Sequence, residues 1–191
     1  MSRAYWVNLT SAVTQTIEGS DRSVHKVNIE EIVPGAELDE ILRGALEDSG
    51  WEKSDDGTYK KEVESVTLSW DLEKGEVEAK VQDSREVTRD VSVEGRAYSQ
   101  EAAQRNAERQ LLQREETAKD AIEAEQEQLQ RKLTKKLSEG EKERVREING
   151  VIQKTYTEGL KRKARRLGNI TSIHEGSSED GDYQLTITIS E

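Results

Sequence analysis

The chain has 191 residues, 36% charged and 32% hydrophobic, with a formal net charge of −11. It contains no Cys, no Phe and one Pro, which excludes a disulfide framework, zinc ribbons, a thiol nucleophile and Cys-ligated iron–sulfur clusters. No apolar run approaches the about 18 residues that span a bilayer, and the first residues lack the charged-then-apolar order of a secretory signal, so a soluble, cytoplasmic protein is expected.

Charge is unevenly placed. Residues 1–96 hold 12 Lys and Arg against 22 Asp and Glu, a net of −10. Residues 97–168 hold 17 against 13, a net of +4, and residues 169–191 hold five acids and no base. The field of the whole chain disfavours nucleic acid and anionic membrane, while the middle segment alone attracts them.

In chain order, Tyr5, Val7 and Leu9 alternate, as do His25, Val27 and Ile29, giving two short strands. The polar segment 10–23 between them reads as a loop. After Pro34 and Gly35, the residues Leu38, Ile41, Leu42, Ala45 and Leu46 form one helical stripe. Gly50 suits the left-handed position after that helix, with Trp51 packed under its end. Thr58 to Val63 suit a short strand after the turn Asp55-Asp56-Gly57. Val66, Leu68 and Trp70, then Val77, Ala79 and Val81, then Val87, Val91 and Val93 share a period of two. That pattern predicts an antiparallel meander with these residues on one buried face and Arg89 the one charge in phase.

Ser99 is a good N-cap for a helix of Ala, Glu, Gln, Arg, Lys and Leu reaching Leu137. Its apolar residues recur at an 11-residue step: Ala107, Ala118 and Leu129, and Leu111, Ile122 and Leu133. Ser138 and Glu141 have capping-box spacing and start a second helix that Gly168 ends. The short join predicts an antiparallel helical hairpin rather than one rod. The longer first helix leaves about ten residues near its start to pack on the sheet, at 1.5 Å per residue, and the tip near Leu137 and Gly140 projects into solvent. A last hairpin follows, with strands at 170–174 and 183–189, a turn at 176–181, and a return to the main sheet. The fold class expected is α+β: an antiparallel sheet with one covering helix and a long inserted helical hairpin. The sheet domain comprises 1–96 plus 169–191, and the helical arm 97–168.

Chemistry-bearing motifs are sparse. His25 and His174 have no metal-ligand spacing, and no phosphate loop or nucleophile elbow occurs. Acids at 55–56 and 179–182 are turn chemistry without calcium-loop spacing. No catalytic, cofactor-binding or metal-binding residue is assigned, and no cofactor is expected. The cluster Lys161, Arg162, Lys163, Arg165 and Arg166 reads as a helix C-terminus that complements the macrodipole, and alternatively as a phosphate-binding patch. Leu112, Ala121 and Leu137 lie off the main stripe of the first helix. A protein partner, or a second copy, is therefore expected on the arm, with Leu112, Leu129, Leu133, Ile148 and Ile152 buried there or supporting it.

Two resemblances bear on this reading. The helix at 36–49, three strands and the segment GRAYSQEAAQRNAERQLL at 95–112 resemble the α-β-β-β-α order of double-stranded-RNA-binding domains. Gln100, Glu101 and Gln104 stand where those domains carry lysines, so the resemblance argues against that function. The run LKRKARRLGNITSIH at 160–174, with the strand at 183–189, resembles the tail of small uncharacterised proteins encoded beside FtsH-like AAA ATPases. It is also similar to a hypothetical family of cyanobacteria and plastids, whose helix-then-aromatic opening ILRGALEDSGW at 41–51 resembles. This resemblance implies an accessory role beside an ATPase and supplies no catalytic residue.

Overall fold

The computed structural model describes residues 4–177 and 183–190. The centre of the turn expected at 176–181 and the acidic run at 179–182 lie outside the described residues. The fold is α+β, with ten elements among the described residues. These are β1 (Tyr5–Lys26), α1 (Gly35–Asp48), β2 (Glu52–Lys53), β3 (Tyr59–Val63), β4 (Val66–Asp71), β5 (Glu76–Ala97), α2 (Gln100–Glu139), α3 (Glu141–Leu167), β6 (Asn169–Ser177) and β7 (Tyr183–Ser190). One antiparallel sheet has the strand order β1-β5-β4-β3-β2, and β6 and β7 form a separate two-stranded sheet. The expected return of the last hairpin to the main sheet is thereby corrected: its two strands pair with each other alone among the described residues.

The segment 10–23 is not a loop. β1 is a continuous strand of 22 residues, and β5, expected as two strands, is also continuous over 22. Thr14 meets Thr88 (3.0 Å between hydroxyls) and the Arg96 guanidinium stacks over the Trp6 ring at 4.8 Å. The same eight-residue step separates these contacts on both strands, so the antiparallel register is unbroken between them. Thr and Val suit such a ribbon because they are β-branched, and the short polar side chains of Thr and Ser cost little on a face that stays wet.

Contacts divide the chain into two compact units. Unit 1 comprises Met1–Arg22 and Lys80–Ser138. It is a two-stranded ribbon with α2 laid along it. Ser99 caps α2 as expected, its Oγ accepting from the Ala102 amide at 3.3 Å. From Lys80 to Ala97 the ribbon runs about 59 Å at roughly 3.3 Å per strand residue. The 40 residues of α2 span about 60 Å at 1.5 Å each, so helix and ribbon match in length. The core is a thin row in which Ile17, Val91, Val93, Ala103, Ala107, Ile122, Leu129 and Leu133 are buried.

Unit 2 comprises Ser23–Ala79 and Glu139–Glu191. Its core is aromatic. Trp51, Tyr59 and Trp70 are all but inaccessible, with Trp51 edge-on to Trp70 at 5.6 Å. Leu46, Val66, Leu68, Val77 and Ala79 surround them. α1 ends as expected. Gly50 is left-handed (φ 77°), its amide bonds Glu47 O at 2.9 Å, and the Trp51 amide bonds Leu46 O at 3.0 Å. These paired bonds form a Schellman stop that delivers Trp51 beneath the helix. The strand expected at 25–29 ends instead at Lys26, where the Val27 amide turns to Gly75 O (2.8 Å). Every residue expected on the buried face of the meander is buried except Val87, which is half-buried. The capping box goes unused: α3 starts at Gly140 with no side-chain cap.

Candidate protein-binding surfaces

In unit 1 the helix docks through close contacts. A Cβ on Gly95 would stand 2.1 Å from Ala103 O and 2.8 Å from the Ala107 Cβ. The helix backbone thus rests directly on β5 near its start. Near its other end, a Cβ on Gly19 would stand 2.8 Å from Leu133 Cδ1 and 3.4 Å from Leu129 Cγ. Between these points Arg89 pairs with Glu125, which Arg85 also approaches at 3.6 Å. The Gln130 amide both accepts from the Ser20 amide (3.2 Å) and donates to Ser20 O (2.9 Å). The Thr134 hydroxyl, together with the Arg22 amide, holds the Asp21 carboxyl below its ordinary range.

Two expectations are corrected here. The ribbon holds α2 well beyond its first ten residues, because the glycines let it approach at both ends. Leu137 and Gly140 are buried rather than projecting into solvent.

The expected partner-binding residues are therefore unlike one another. Leu112 is 66% exposed on α2. Leu129 and Leu133 are buried against Gly19. In unit 2, Ile148 is buried and Ile152 half-buried, and both line a cavity of about 280 Å³ with His25 and Val27. Residues that sequence reasoning passed over include Gly19, Gly95, Glu125 and Gln130, whose roles follow only once β1 is known to be a strand. Their one sequence signal is Gly95 at the end of a strand-like run, since Gly19 stands in a segment that reads as a loop.

The basic cluster lies in unit 2 and is largely answered by carboxylates. Lys161 pairs with Glu175 at 2.8 Å, Arg162 with Glu40 at 3.3 Å and Glu158 at 3.5 Å, Arg165 with Glu158 at 3.9 Å, and Arg166 with Glu37. Lys163 is exposed. Lys161 holds the Glu175 carboxyl below its ordinary range. These acids of α1, α3 and β6 compete with any polyanion for the same guanidinium and ammonium groups. An open groove of about 1010 Å³ beside the cluster carries both signs, with Asp39, Glu40 and Glu47 facing Lys154, Lys161 and Arg162. Among the described residues no group of three or more His, Cys, Asp or Glu side chains is placed to hold a metal ion. No helix among them is long and apolar enough to cross a membrane.

Residues 1–190 match the family model described as FtsH ternary system domain X5. The chain belongs to this family. No curated protein and no solved structure matches it. Membership associates the chain with an FtsH-type system, as the resemblance of residues 160–174 implied, and protein partners are the class of interaction that such a system suggests.

Proposed function

We propose that this chain is a non-catalytic adaptor or assembly subunit accessory to an FtsH-type AAA ATPase, binding a protein partner through α2. The observation that carries the reading is the family match over residues 1–190. The exposure of Leu112 supports the choice of surface, since a large aliphatic side chain 66% open to solvent on an otherwise charged helix gains most from being covered. Leu129 and Leu133 serve by fixing α2 on the ribbon, and Ile148 and Ile152 by fixing α3 within its own unit.

The test is co-purification of the affinity-tagged chain with an FtsH-type AAA ATPase from its own cells. The ATPase is expected to be retained, and Leu112→Lys to cut retention by about tenfold or more, as loss of a central contact residue does. The melting temperature should stay unchanged. Failure of the ATPase to co-purify would remove the accessory role. Undiminished retention by Leu112→Lys would move the contact off α2.

A further inference from the structure

The helix of unit 1 crosses its ribbon obliquely. At its start it lies on β5, where Gly95 meets Ala103 and Ala107 and where Val91 and Val93 are buried. Farther along it lies on β1, where Gly19 meets Leu129 and Leu133 and Ile17 is buried. There β5 is left less covered, with Val87 half-buried and Arg85 exposed. The opposite corner is left open in the same way. Val7, Leu9 and Val13 of β1 are only half-buried.

That corner coincides with the free edge of the sheet. Among the described residues β5 is the one strand beside β1. From Tyr5 to Ile17 this edge carries no charged residue, no Pro and no Gly. Those are the residues, with short length, by which proteins keep an edge from pairing. Over its own stretch of ribbon β5 carries Arg85, Glu86, Arg89, Asp90, Glu94 and Arg96. The missing protection is therefore confined to the outer strand.

We propose that residues 5–17 of β1 pair with the same residues of a second copy, antiparallel about a two-fold axis, extending the ribbon to four strands in the order β5-β1-β1-β5. Three features select a second copy. First, an isologous contact sets this uncharged strand against itself, so no like charges face one another. Second, unit 1 holds 14 basic and 14 acidic residues, whereas unit 2 holds 15 and 26. Two chains of net charge −11 approach without net repulsion only through the neutral unit. Third, the two-fold sets the region near Ile17, where α2 reaches β1, beside the open region near Val7 of the other copy, so each helix covers what the other leaves bare. The paired strip is about 43 Å long at roughly 3.3 Å per residue. The pairing does not depend on the ATPase reading, and its test uses the chain alone.

Sedimentation velocity of the intact chain across micromolar concentrations should show a monomer–dimer equilibrium. Thr10 and Ala12 are exposed, so Thr10→Lys with Ala12→Lys leaves the monomer's fold and melting temperature in place. The dissociation constant should rise by about tenfold or more as like charges meet across the new ladder. Thr10→Glu with Ala12→Glu should weaken it likewise, and an equimolar mixture of the two variants should re-associate. Because the chain has no Cys, Ser11→Cys supplies a second readout: residue 11 is the midpoint of the strip 5–17 and faces its own copy across the axis, so it should give a disulfide-linked dimer, and Glu116→Cys on α2 should not. A wild type that stays monomeric, a Lys variant that dimerises as tightly as wild type, or a mixture no better than its components would each overturn the proposal.

Discussion

The two units solve the same problem, burying apolar surface in a chain that is 32% hydrophobic, by opposite means. Unit 2 concentrates it. Trp51, Trp70 and Tyr59 share one compact cluster, closed by a helix stop that places Trp51 beneath α1. Unit 1 spreads it along a line of small and aliphatic residues, with Gly19 and Gly95 as the points of closest approach. A clustered core concentrates the effect of one substitution on a few neighbours. A linear core has few neighbours per residue and depends on the two surfaces meeting closely all along. The electrostatics follow the same division, since the whole net charge of the chain resides in unit 2.

The comparison can be broken most severely at the cluster. Trp70→Ala removes the ring on which Trp51 packs and should cost about 4 kcal/mol, read by urea unfolding of the whole chain. A loss under about 1 kcal/mol, the range of a surface change, would mean that the aromatic cluster is not what holds unit 2. Gly95→Ala sharpens the comparison from the other side. Its methyl would collide with backbone, not with a movable side-chain end, so overpacking of about 3 kcal/mol is expected. Hydrogen exchange should locate the loss in α2 and the ribbon and leave the amides around Trp51 and Trp70 protected. Equal deprotection of both sets would show that the units unfold as one.

The smallest effect concerns acid. Pairing with Lys161 lowers the folded pKa of Glu175, so its contribution is full above the ordinary Glu value of about 4.3 and fades as pH falls through the lower folded value. Glu175→Gln should flatten a small part of the stability loss below that pH and change nothing at neutrality beyond the exposed pair itself. Thermal melts of the two proteins against pH make the comparison.

Much of unit 2 was legible in the sequence, because its strands alternate strictly and its helix carries a five-residue stripe with a glycine stop. Residues 10–23 were not, because a strand in a two-stranded ribbon has little to bury. Thr10, Thr14 and Thr16 are exposed, and only Ile17 and Gly19 are fully covered. That one misreading concealed the rest of unit 1. With β1 taken as a loop, Leu129 and Leu133 had no strand to meet, and a facing helix was the remaining cover. Leu112, set off the stripe by helical spacing, is exposed, whereas Leu137, set off it by the same reading, is buried. Glu40 and Glu37, which answer Arg162 and Arg166 from α1, lie more than 120 positions away, and no local pattern announces them.

The matched lengths of α2 and its ribbon constrain how this unit can change over evolutionary time. A helix advances about 1.5 Å per residue and a strand about 3.3 Å, so an insertion in one is not cancelled by the same insertion in the other. One extra helical turn would carry Leu129 and Leu133 about 5.4 Å past Gly19 and set bulkier contacts over the wrong strand residues. Only coordinated steps, about 22 residues in the helix for about ten in each strand, keep both glycine contacts and the same strand faces in place. Relatives of this chain are therefore expected to vary in unit 1 by such paired increments or not at all, while the loops of unit 2 accept insertions singly.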